Sequence, residues 1–156
     1  MDFISEKLND YIKNHSTKES DLLKELSRET KLKILNPRML SGSYQGRILS
    51  IISKLTKPKY ILEIGTYTGY SSLCLAEGMK NDGELHTIDE NEELYDFQRK
   101  YFNKSSYGDK IFQHLGNALE LIQTINKKFD LIFLDADKEN YAKYLELLVN
   151  KLNTNG

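Results

Sequence analysis

Hydrophobic positions along the chain follow two alternating spacings, which together predict an α/β fold. Short apolar runs of strand length recur four times, and each is followed by a stretch with helical periodicity. The predicted strands are 60–64, 84–89, 110–116 and 128–136, and the predicted helices after them are 71–80, a helix capped by Asn91, 117–126 and 140–152. Strand–helix units in series require right-handed crossovers, so the sequence predicts a doubly wound parallel sheet of at least four strands.

The N-terminal part of the chain predicts helices in front of this sheet. Helical periodicity covers residues 3–35 and is interrupted at NHSTKES, where Ser20 can cap a second helix that ends before Pro37. The third helix, GRILSIISKL, has one apolar face, which consists of Ile48, Leu49, Ile52 and Leu55. We therefore expect a single domain, with a helical segment at 1–57 and a βα core at 58–156.

Composition excludes several classes of protein. The 156 residues include 22 basic and 23 acidic side chains, so the chain lacks the basic surplus that nucleic-acid binding requires. The single cysteine, Cys74, excludes an internal disulfide, and its apolar neighbours predict a buried packing thiol. No stretch reaches the ~20 apolar residues of a membrane span, and the N-terminus does not resemble a signal peptide. These features predict a soluble cytoplasmic protein with no nucleic-acid or membrane partner.

The stretch YILEIGTYTGYSS places a carboxylate and two glycines between a strand and a helix. Ligands of doubly wound sheets bind beyond the carboxyl ends of the strands, where Glu63, Gly65 and Gly69 lie. The Gly-x-x-x-Gly spacing differs from the dinucleotide fingerprint, and a carboxylate would repel a pyrophosphate. S-adenosylmethionine fits better, because its sulfonium and ammonium are cationic and its carboxylate can approach the helix start at Ser71. Asp89, about 20 residues after the turn, can accept both ribose hydroxyls.

Acidic residues also follow the fourth predicted strand. Asp135, Asp137 and Lys138 lie just beyond the apolar run in DLIFLDADKENY. Asp137 and Glu139 suit the first turn of the next helix, where acids interact favourably with the helix dipole. Asp135 ends a buried strand at the point where the sheet order reverses, so we expect it to contact a ligand.

Three motifs resemble one known family. MLSGSYQGRIL, LEIGTYTGYSS and FDLIFLDADKENY are similar to the cation-dependent O-methyltransferases, the group that contains caffeoyl-CoA and catechol O-methyltransferases. The resemblance runs from about Tyr11 to the last residue. It implies a class I (Rossmann-like) methyltransferase fold and methyl transfer from S-adenosylmethionine to a hydroxyl of a vicinal diol, a small and usually aromatic acceptor.

The resemblance also implies the residues of the site. The residues expected along the cofactor are Met39, Ser41, Glu63, Gly65, Thr66, Tyr67, Gly69, Ser71, Asp89, Asn117, Ala118 and Asp135. Within this set, Asp89 takes the ribose, Asn117 and Ala118 border the adenine, and Asp135 also ligates a divalent cation, Mg²⁺ or Ca²⁺. Lys138 takes the proton from the attacking hydroxyl. A chelated cation lowers the pKa of such a hydroxyl, which makes it a better nucleophile.

The chain departs from the family pattern in two places. Asn117 stands where the family often has Asp, and its amide oxygen can still accept a hydrogen bond. The larger departure is at Gly156, where family members continue into a strand that ends in an Asp-Asn pair. We therefore expect an N-terminal fragment or a shortened chain, without the C-terminal strands and with Asp135 as its only strong metal ligand.

Such a chain leaves three expectations open to test. The strand in DLIFLDA is apolar throughout, which is typical of a central strand, so its edge should be covered by a partner or by the N-terminal helices. A homodimer is expected from the family and from the apolar residues Phe3, Leu8, Tyr11 and Ile12. Two other functions remain possible, namely a cation-independent methyltransferase with another acceptor and a non-catalytic fragment that binds S-adenosylmethionine.

Overall fold

The computed structural model describes residues 5–156, except for the side chain of Lys13. The predicted Phe3 contact therefore lies outside the described residues. In chain order the helices and strands are α1 (Glu6–His15), α2 (Asp21–Lys33), α3 (Gly42–Thr56), β1 (Tyr60–Ile64), α4 (Tyr70–Ala76), β2 (Glu84–Asp89), α5 (Tyr95–Lys104), β3 (Ile111–Leu115), α6 (Ala118–Thr124), β4 (Leu131–Leu134) and α7 (Tyr141–Val149).

The four strands form one parallel sheet in the order β3-β2-β1-β4. Helices cover both faces, as predicted for a doubly wound fold. One apolar core joins the sheet to α2–α5 through residues such as Leu26, Leu73 and Phe102. The second core joins the sheet to α6 and α7 through Ile122 and Leu148. The order reverses between β1 and β4, which fixes where a ligand-binding crevice can open.

Local capping agrees with the sequence prediction. The Ser20 hydroxyl accepts a hydrogen bond from the Leu23 N–H (3.3 Å) and so starts α2. The Asn91 side chain accepts from the Glu93 N–H (3.0 Å) at the short turn before α5. Helix α4 is shorter than predicted, because the chain must pass close to α3 at Gly78. A Cβ there would lie 2.2 Å from the backbone of Ser53.

The apolar face predicted for α3 does not pack on the rest of the chain. Ile48, Ile52 and Leu55 are exposed, and Leu49 alone of that predicted face is buried. The helix packs on α4 through small residues instead, with Gly46 against the ring of Tyr70. Small side chains allow the backbones of α3 and α4 to approach closely. The face of α3 that carries them therefore packs on α4.

The edge of β4 was expected to be covered by a partner or by the N-terminal helices; α2 does not lie there, and cover by a partner stays a prediction. Helix α2 packs on α4 and α5, because Tyr70, Lys100 and Tyr101 bond to the carboxylates of Glu19 and Glu29. Within residues 5–156 no strand pairs along the outer edge of β4, and the four residues of β4 are half-buried.

Two predictions from composition can be compared with the structure. Cys74 is buried in the first core, as predicted, and burial raises the pKa of its thiol to about 12. None of the helices described here has the length and apolar content needed to cross a bilayer.

Candidate cofactor site

A cavity of about 860 Å³ opens at the carboxyl ends of the strands. Its wall consists of the turn after β1, the ends of β2 and β4, and the loop between α2 and α3. Most predicted site residues line it, namely Met39, Ser41, Gly65, Thr66, Tyr67, Ser71, Asp89, Ala118, Asp135 and Lys138. Three predicted residues, Glu63, Gly69 and Asn117, do not line this cavity.

The turn after β1 needs both of its glycines. Gly65 and Gly69 adopt positive φ angles of 96° and 86°, a region that favours glycine. A Cβ on Gly65 would lie 2.2 Å from the carbonyl oxygen of Asp135, so glycine lets the ends of β1 and β4 come together. A Cβ on Gly69 would lie 2.6 Å from the ring of Phe102. Gly69 therefore allows the turn to pack closely on Phe102, although it does not itself line the cavity.

Glu63 is fully buried beneath this turn. Its Oε2 accepts hydrogen bonds from the hydroxyls of Thr87 (2.6 Å) and Ser72. Its Oε1 has no partner among the described residues. Burial raises the pKa of this carboxyl to about 7, although the hydroxyl donors partly offset that effect. The carboxylate thus bonds to polar side chains of the core, and its predicted contact with the methionine end of the cofactor stays a prediction.

Asp89 presents an anchored carboxylate to the cavity. Its Oδ2 accepts from the Tyr67 N–H (2.7 Å) and its Oδ1 from the Asn91 N–H (2.9 Å). A carboxylate offers about four acceptor positions, so each oxygen can still accept a bond from a ligand hydroxyl. The two backbone bonds fix its orientation, and the predicted contact of Asp89 with the ribose stays a prediction.

Tyr67 connects three parts of the site in a way that the motif did not predict. It has a positive φ of 50°, which is strained for a residue with a side chain. Its carbonyl accepts from the Gln98 side chain (2.8 Å), and its hydroxyl lies within bonding distance of the carbonyl oxygens of Leu35 (3.2 Å) and Asn36 (3.1 Å). These contacts hold the α2–α3 loop against the cavity, and no sequence pattern identified that loop beyond Met39 and Ser41.

Asn117 has a local role in this structure. Its side-chain oxygen accepts from the Leu119 N–H (3.0 Å) and caps α6. Gly116, with a φ of 141°, and Ala118 line the cavity on either side of it. The predicted contact of Asn117 with adenine stays a prediction.

Asp135 and Asp137, the two acids just after β4, both line the cavity, but Asp137 is also bonded at the start of the next helix. Asp137 accepts from the Tyr144 hydroxyl (2.7 Å) and the Asn140 amide (2.5 Å), and these bonds lower the pKa of its carboxyl. Asp137 thus supports the start of the next helix. Asp135 is exposed at the end of β4, and it lines the cavity together with Lys138.

The donor set for a divalent cation is small. Within residues 5–156 no group of three or more His, Cys, Asp or Glu side chains could hold a metal ion. Asp135 offers a carboxylate, whereas that of Asp137 already bonds two side chains. Hard cations take six or more oxygen ligands, so the described residues do not fit a complete metal site.

Fold and cavity together place the protein among the Rossmann-like α/β proteins that bind a nucleoside at the ends of parallel strands. The chain belongs to the O-methyltransferase family, whose pattern it matches over residues 13–156. This membership confirms the resemblance drawn from the three motifs.

Individual relatives give the same result. A caffeoyl-CoA O-methyltransferase of Stellaria longipes is 32% identical over 162 residues, which cover 97% of this chain and 66% of that protein. The SAH-bound structure of a Podospora anserina methyltransferase is 31% identical with a TM-score of 0.90, covering 96% of this chain and 65% of that one. The O-methyltransferase of Bacillus cereus in complex with SAH is 28% identical with a TM-score of 0.88, covering 94% and 68%. The chain thus spans about two thirds of the length of these relatives.

Proposed function

We propose that this protein is an S-adenosylmethionine-dependent O-methyltransferase. The observation that carries the proposal is the carboxylate of Asp89, which two backbone N–H groups orient into a cavity beside the glycine turn. Two structural relatives bind SAH, the product left by S-adenosylmethionine after methyl transfer. The family match supplies the reaction class.

Each group of cavity residues has a separate role in such a reaction. Asp89 binds the ribose hydroxyls, Ala118 borders the adenine, and Ser71 with the Gly65 turn holds the methionine end. S-adenosylmethionine, when bound, supplies an electrophilic methyl group. Lys138 takes the proton from the acceptor hydroxyl, and the rest of the site orients that oxygen for in-line attack.

The acceptor that we propose is a vicinal diol, and the proposed partners are this small molecule and a second copy of the chain. Leu8 and Tyr11, which are exposed on α1, supply apolar surface for the second copy. A divalent cation belongs to the proposal through Asp135, but the described residues do not complete its ligand set. We therefore assign no step to a metal, and loss of activity in EDTA would test the requirement.

Cofactor binding tests the proposal directly. Asp89→Ala removes the oriented carboxylate, so the affinity for S-adenosylhomocysteine should fall at least about 10-fold, since hydrogen bonds to charged groups contribute roughly 1.5–3 kcal/mol. Titration calorimetry measures this change. Glu92→Ala is the matched control, because Glu92 is a nearby exposed acid that does not line the cavity. Equal affinities for the two variants would contradict the assignment.

A non-catalytic protein that binds S-adenosylmethionine is the second candidate. Its support is the incomplete donor set for a divalent cation among the described residues. Transfer of a labelled methyl group to catechol distinguishes the two functions. Binding of S-adenosylhomocysteine without any transfer would favour the second.

A further inference from the structure

Helix α5 carries a glutamine in the middle of its buried face. Gln98 lies four residues after Leu94 and four residues before Phe102, and both of these side chains are buried. Gln98 itself is 2% exposed. Burial of an amide is unfavourable unless its donors and acceptor are bonded, whereas an apolar side chain would need no partner here. The partners of the Gln98 amide therefore show which contact requires it.

The Gln98 amide joins two neighbouring elements to the cofactor site. Its Nε2 donates to the carbonyl oxygen of Tyr67 in the turn after β1 (2.8 Å). Its Oε1 accepts from Nε2 of Gln113 on β3 (2.6 Å). Tyr67 lines the cavity, whereas Gln98 and Gln113 do not. The two amides thus connect α5 and β3 to a residue of the cavity wall without lining the cavity themselves.

Arg99 sets the direction of these hydrogen bonds. Its Nε donates to Gln113 Oε1 (2.5 Å), and its terminal nitrogens donate to two main-chain carbonyl oxygens at and just before the start of β3 (3.0 Å and 3.3 Å). A guanidinium has donors only, so the oxygen of the Gln113 amide must face Arg99 and its nitrogen must face Gln98. The nitrogen of the Gln98 amide is then the atom that faces Tyr67.

The main chain of Tyr67 is bonded on both sides of its Cα. Its φ of 50° lies in the left-handed region, which is unfavourable for a residue with a Cβ. The peptide before the Cα donates its N–H to Asp89 Oδ2 (2.7 Å), and the carbonyl of the peptide after it accepts from Gln98. A strained conformation persists where the surrounding structure holds it in place. Loss of the Gln98 bond would release the second peptide and leave the first bonded to Asp89.

From this geometry we propose that Gln98 is a positioning residue for the cofactor. Its amide, oriented by Gln113 and Arg99, holds the main chain of Tyr67 in the left-handed conformation, and the Tyr67 N–H in turn orients the Asp89 carboxylate. Gln98 therefore increases the affinity for S-adenosylmethionine without touching it. The inference rests on the proposed function, because Asp89 is the group proposed to bind the ribose of that cofactor.

Gln98→Met removes the amide and keeps an unbranched side chain that suits a helix and an apolar core. The turn of the free protein then occupies other conformations for part of the time, and the apparent affinity falls with the fraction that remains competent to bind. Calorimetry with S-adenosylhomocysteine should give an affinity about 3- to 10-fold below that of the wild type, the range expected for one neutral hydrogen bond. Urea denaturation establishes that the variant is folded.

Gln123→Met is the matched control for this substitution. Gln123 is exposed on α6, and its Nε2 also donates to a main-chain carbonyl oxygen, that of Leu119 (2.8 Å). It does not line the cavity, so the control should bind S-adenosylhomocysteine as the wild type does. Equal affinities of Gln98→Met and Gln123→Met would overturn the inference.

Gln98→Glu distinguishes the hydrogen bond from simple packing. Burial raises the pKa of a carboxyl, so at pH 5.5 the introduced group is a neutral acid with one donor for the Tyr67 carbonyl and one acceptor for Gln113. At this pH Gln98→Glu should bind S-adenosylhomocysteine within about twofold of the wild type, because the hydrogen bond is restored, while Gln98→Met stays weak. A Gln98→Glu protein as weak as Gln98→Met would overturn the inference.

Amide exchange tests the same contact without a ligand. In Gln98→Met the Tyr67 N–H should exchange at least about 10-fold faster than in the wild type, because the turn opens more often, and the Ile61 N–H in β1 should be unchanged. A wild-type protein that does not bind S-adenosylhomocysteine would contradict the proposed function. Equal exchange of the Tyr67 N–H in the two proteins would overturn the inference about Gln98, whether or not the ligand binds.

Discussion

At the residue scale, Glu63 is a buried carboxyl beneath the glycine turn whose titration changes the stability of the fold with pH. It is 0% exposed, and the core supplies hydroxyl donors to only one of its oxygens. Its carboxyl has a pKa of about 7 when folded, against a usual value of 4.5. Because the folded pKa is raised, the stabilisation from the neutral acid is complete below about pH 4.5 and is lost as the pH rises through about 7.

We expect Glu63→Gln to remove this dependence. The free energy of unfolding of the variant should rise relative to the wild type between pH 5 and pH 8, by at most about 3 kcal/mol at 1.36 kcal/mol for each unit of pKa. Urea denaturation at both pH values measures the difference. Glu146→Gln, at an exposed position of α7, should run parallel to the wild type. A Glu63→Gln curve that also runs parallel would show that the carboxyl does not titrate in this range.

A substitution of Lys138 should affect the rate of methyl transfer without affecting cofactor binding. Lys138→Met should lower the rate of methyl transfer to catechol by about 10²–10⁴-fold, because the hydroxyl loses its proton acceptor, and should leave the affinity for S-adenosylhomocysteine nearly unchanged. Transfer assays and calorimetry on the same protein measure the two effects. Lys143→Met, an exposed lysine bonded to Asn140, is the control. Equal rates for both variants would remove Lys138 from the reaction.

The strand ends and motifs of the sequence predicted most of the cavity wall. Ten of the predicted site residues line the cavity. The sequence placed Glu63 in contact with the cofactor, because a charge at a strand end suggests a ligand. The structure shows that the carboxylate bonds to Ser72 and Thr87, a partnership that depends on the register of β1 against β2, and the cofactor contact stays a prediction. The sequence also did not identify Leu35 and Asn36, which Tyr67 holds in the wall. Loop residues of this kind carry no periodic pattern.

At the scale of elements, α3 shows how small residues can decide a packing face. All four strands were predicted, because each is a short apolar run between turns. The buried face of α3 was not predicted. A hydrophobic pattern gives no weight to Gly46, Ser50 and Ser53, which are the residues that pack, and it selects the isoleucines instead. The Ser53 hydroxyl donates to Leu75 O (2.5 Å), and the polar network of Arg47, Ser50 and Glu77 completes the contact with α4.

Gly46→Ala should therefore destabilise the fold. The added Cβ would lie 2.5 Å from Tyr70 Cε1 and 2.8 Å from Cys74 Sγ, and both side chains are buried and cannot move away. Overpacking of this kind typically costs about 1–3 kcal/mol, which exceeds the gain in helix propensity of at most about 1 kcal/mol. Urea denaturation measures the loss. Ser43→Ala, one turn earlier in α3, is the control, and equal stability of the two variants would contradict the close contact.

The pairing of β2 with β3 contains a second pH-dependent element. His86 Nδ1 and His114 Nε2 are 2.9 Å apart, and His86 Nε2 is 3.1 Å from Glu84, which also bonds Lys127. Burial lowers the pKa of both imidazoles, and for His114 the charge of His86 lowers it further. Since the folded pKa values are depressed, this stabilisation is complete above about pH 6.5 and is lost as the pH falls below it.

His86→Phe should reduce the loss of stability between pH 7 and pH 5. Phenylalanine suits the neighbouring rings of Phe112 and Phe129 and cannot be protonated. Glu29 and Glu77, with pKa values of about 2, stay ionised in this window. Thermal denaturation at the two pH values measures the change. His15→Gln, on the exposed side of α1, should keep the wild-type slope, and a His86→Phe protein with that same slope would refute the assignment.

At the scale of the whole molecule, the parallel pairing of the strands was predictable from the sequence, and what lies beside the edge of the sheet was not. Four strand–helix units in series dictate parallel pairing and crossovers of one hand. Whether α2 lies beside β4 or beside α5 depends on contacts such as that of Tyr101 with Glu29, which join residues 72 positions apart. Sequence periodicity contains no information about partners so distant. The expected homodimer through Leu8 and Tyr11 stays a prediction at this scale.

The position of β1 in the sheet has a consequence for the time course of biosynthesis. β1 pairs with β2 about 24 residues later, as the Thr87–Glu63 bond illustrates, but its other neighbour arrives with Asp130, 70 residues after Tyr60. A ribosome that adds 5–20 residues per second needs about 4–14 s to produce that interval. During those seconds β1 has one side unpaired in the nascent chain, until β4 and the Asp130 carboxylate that bonds the Tyr60 N–H are synthesised.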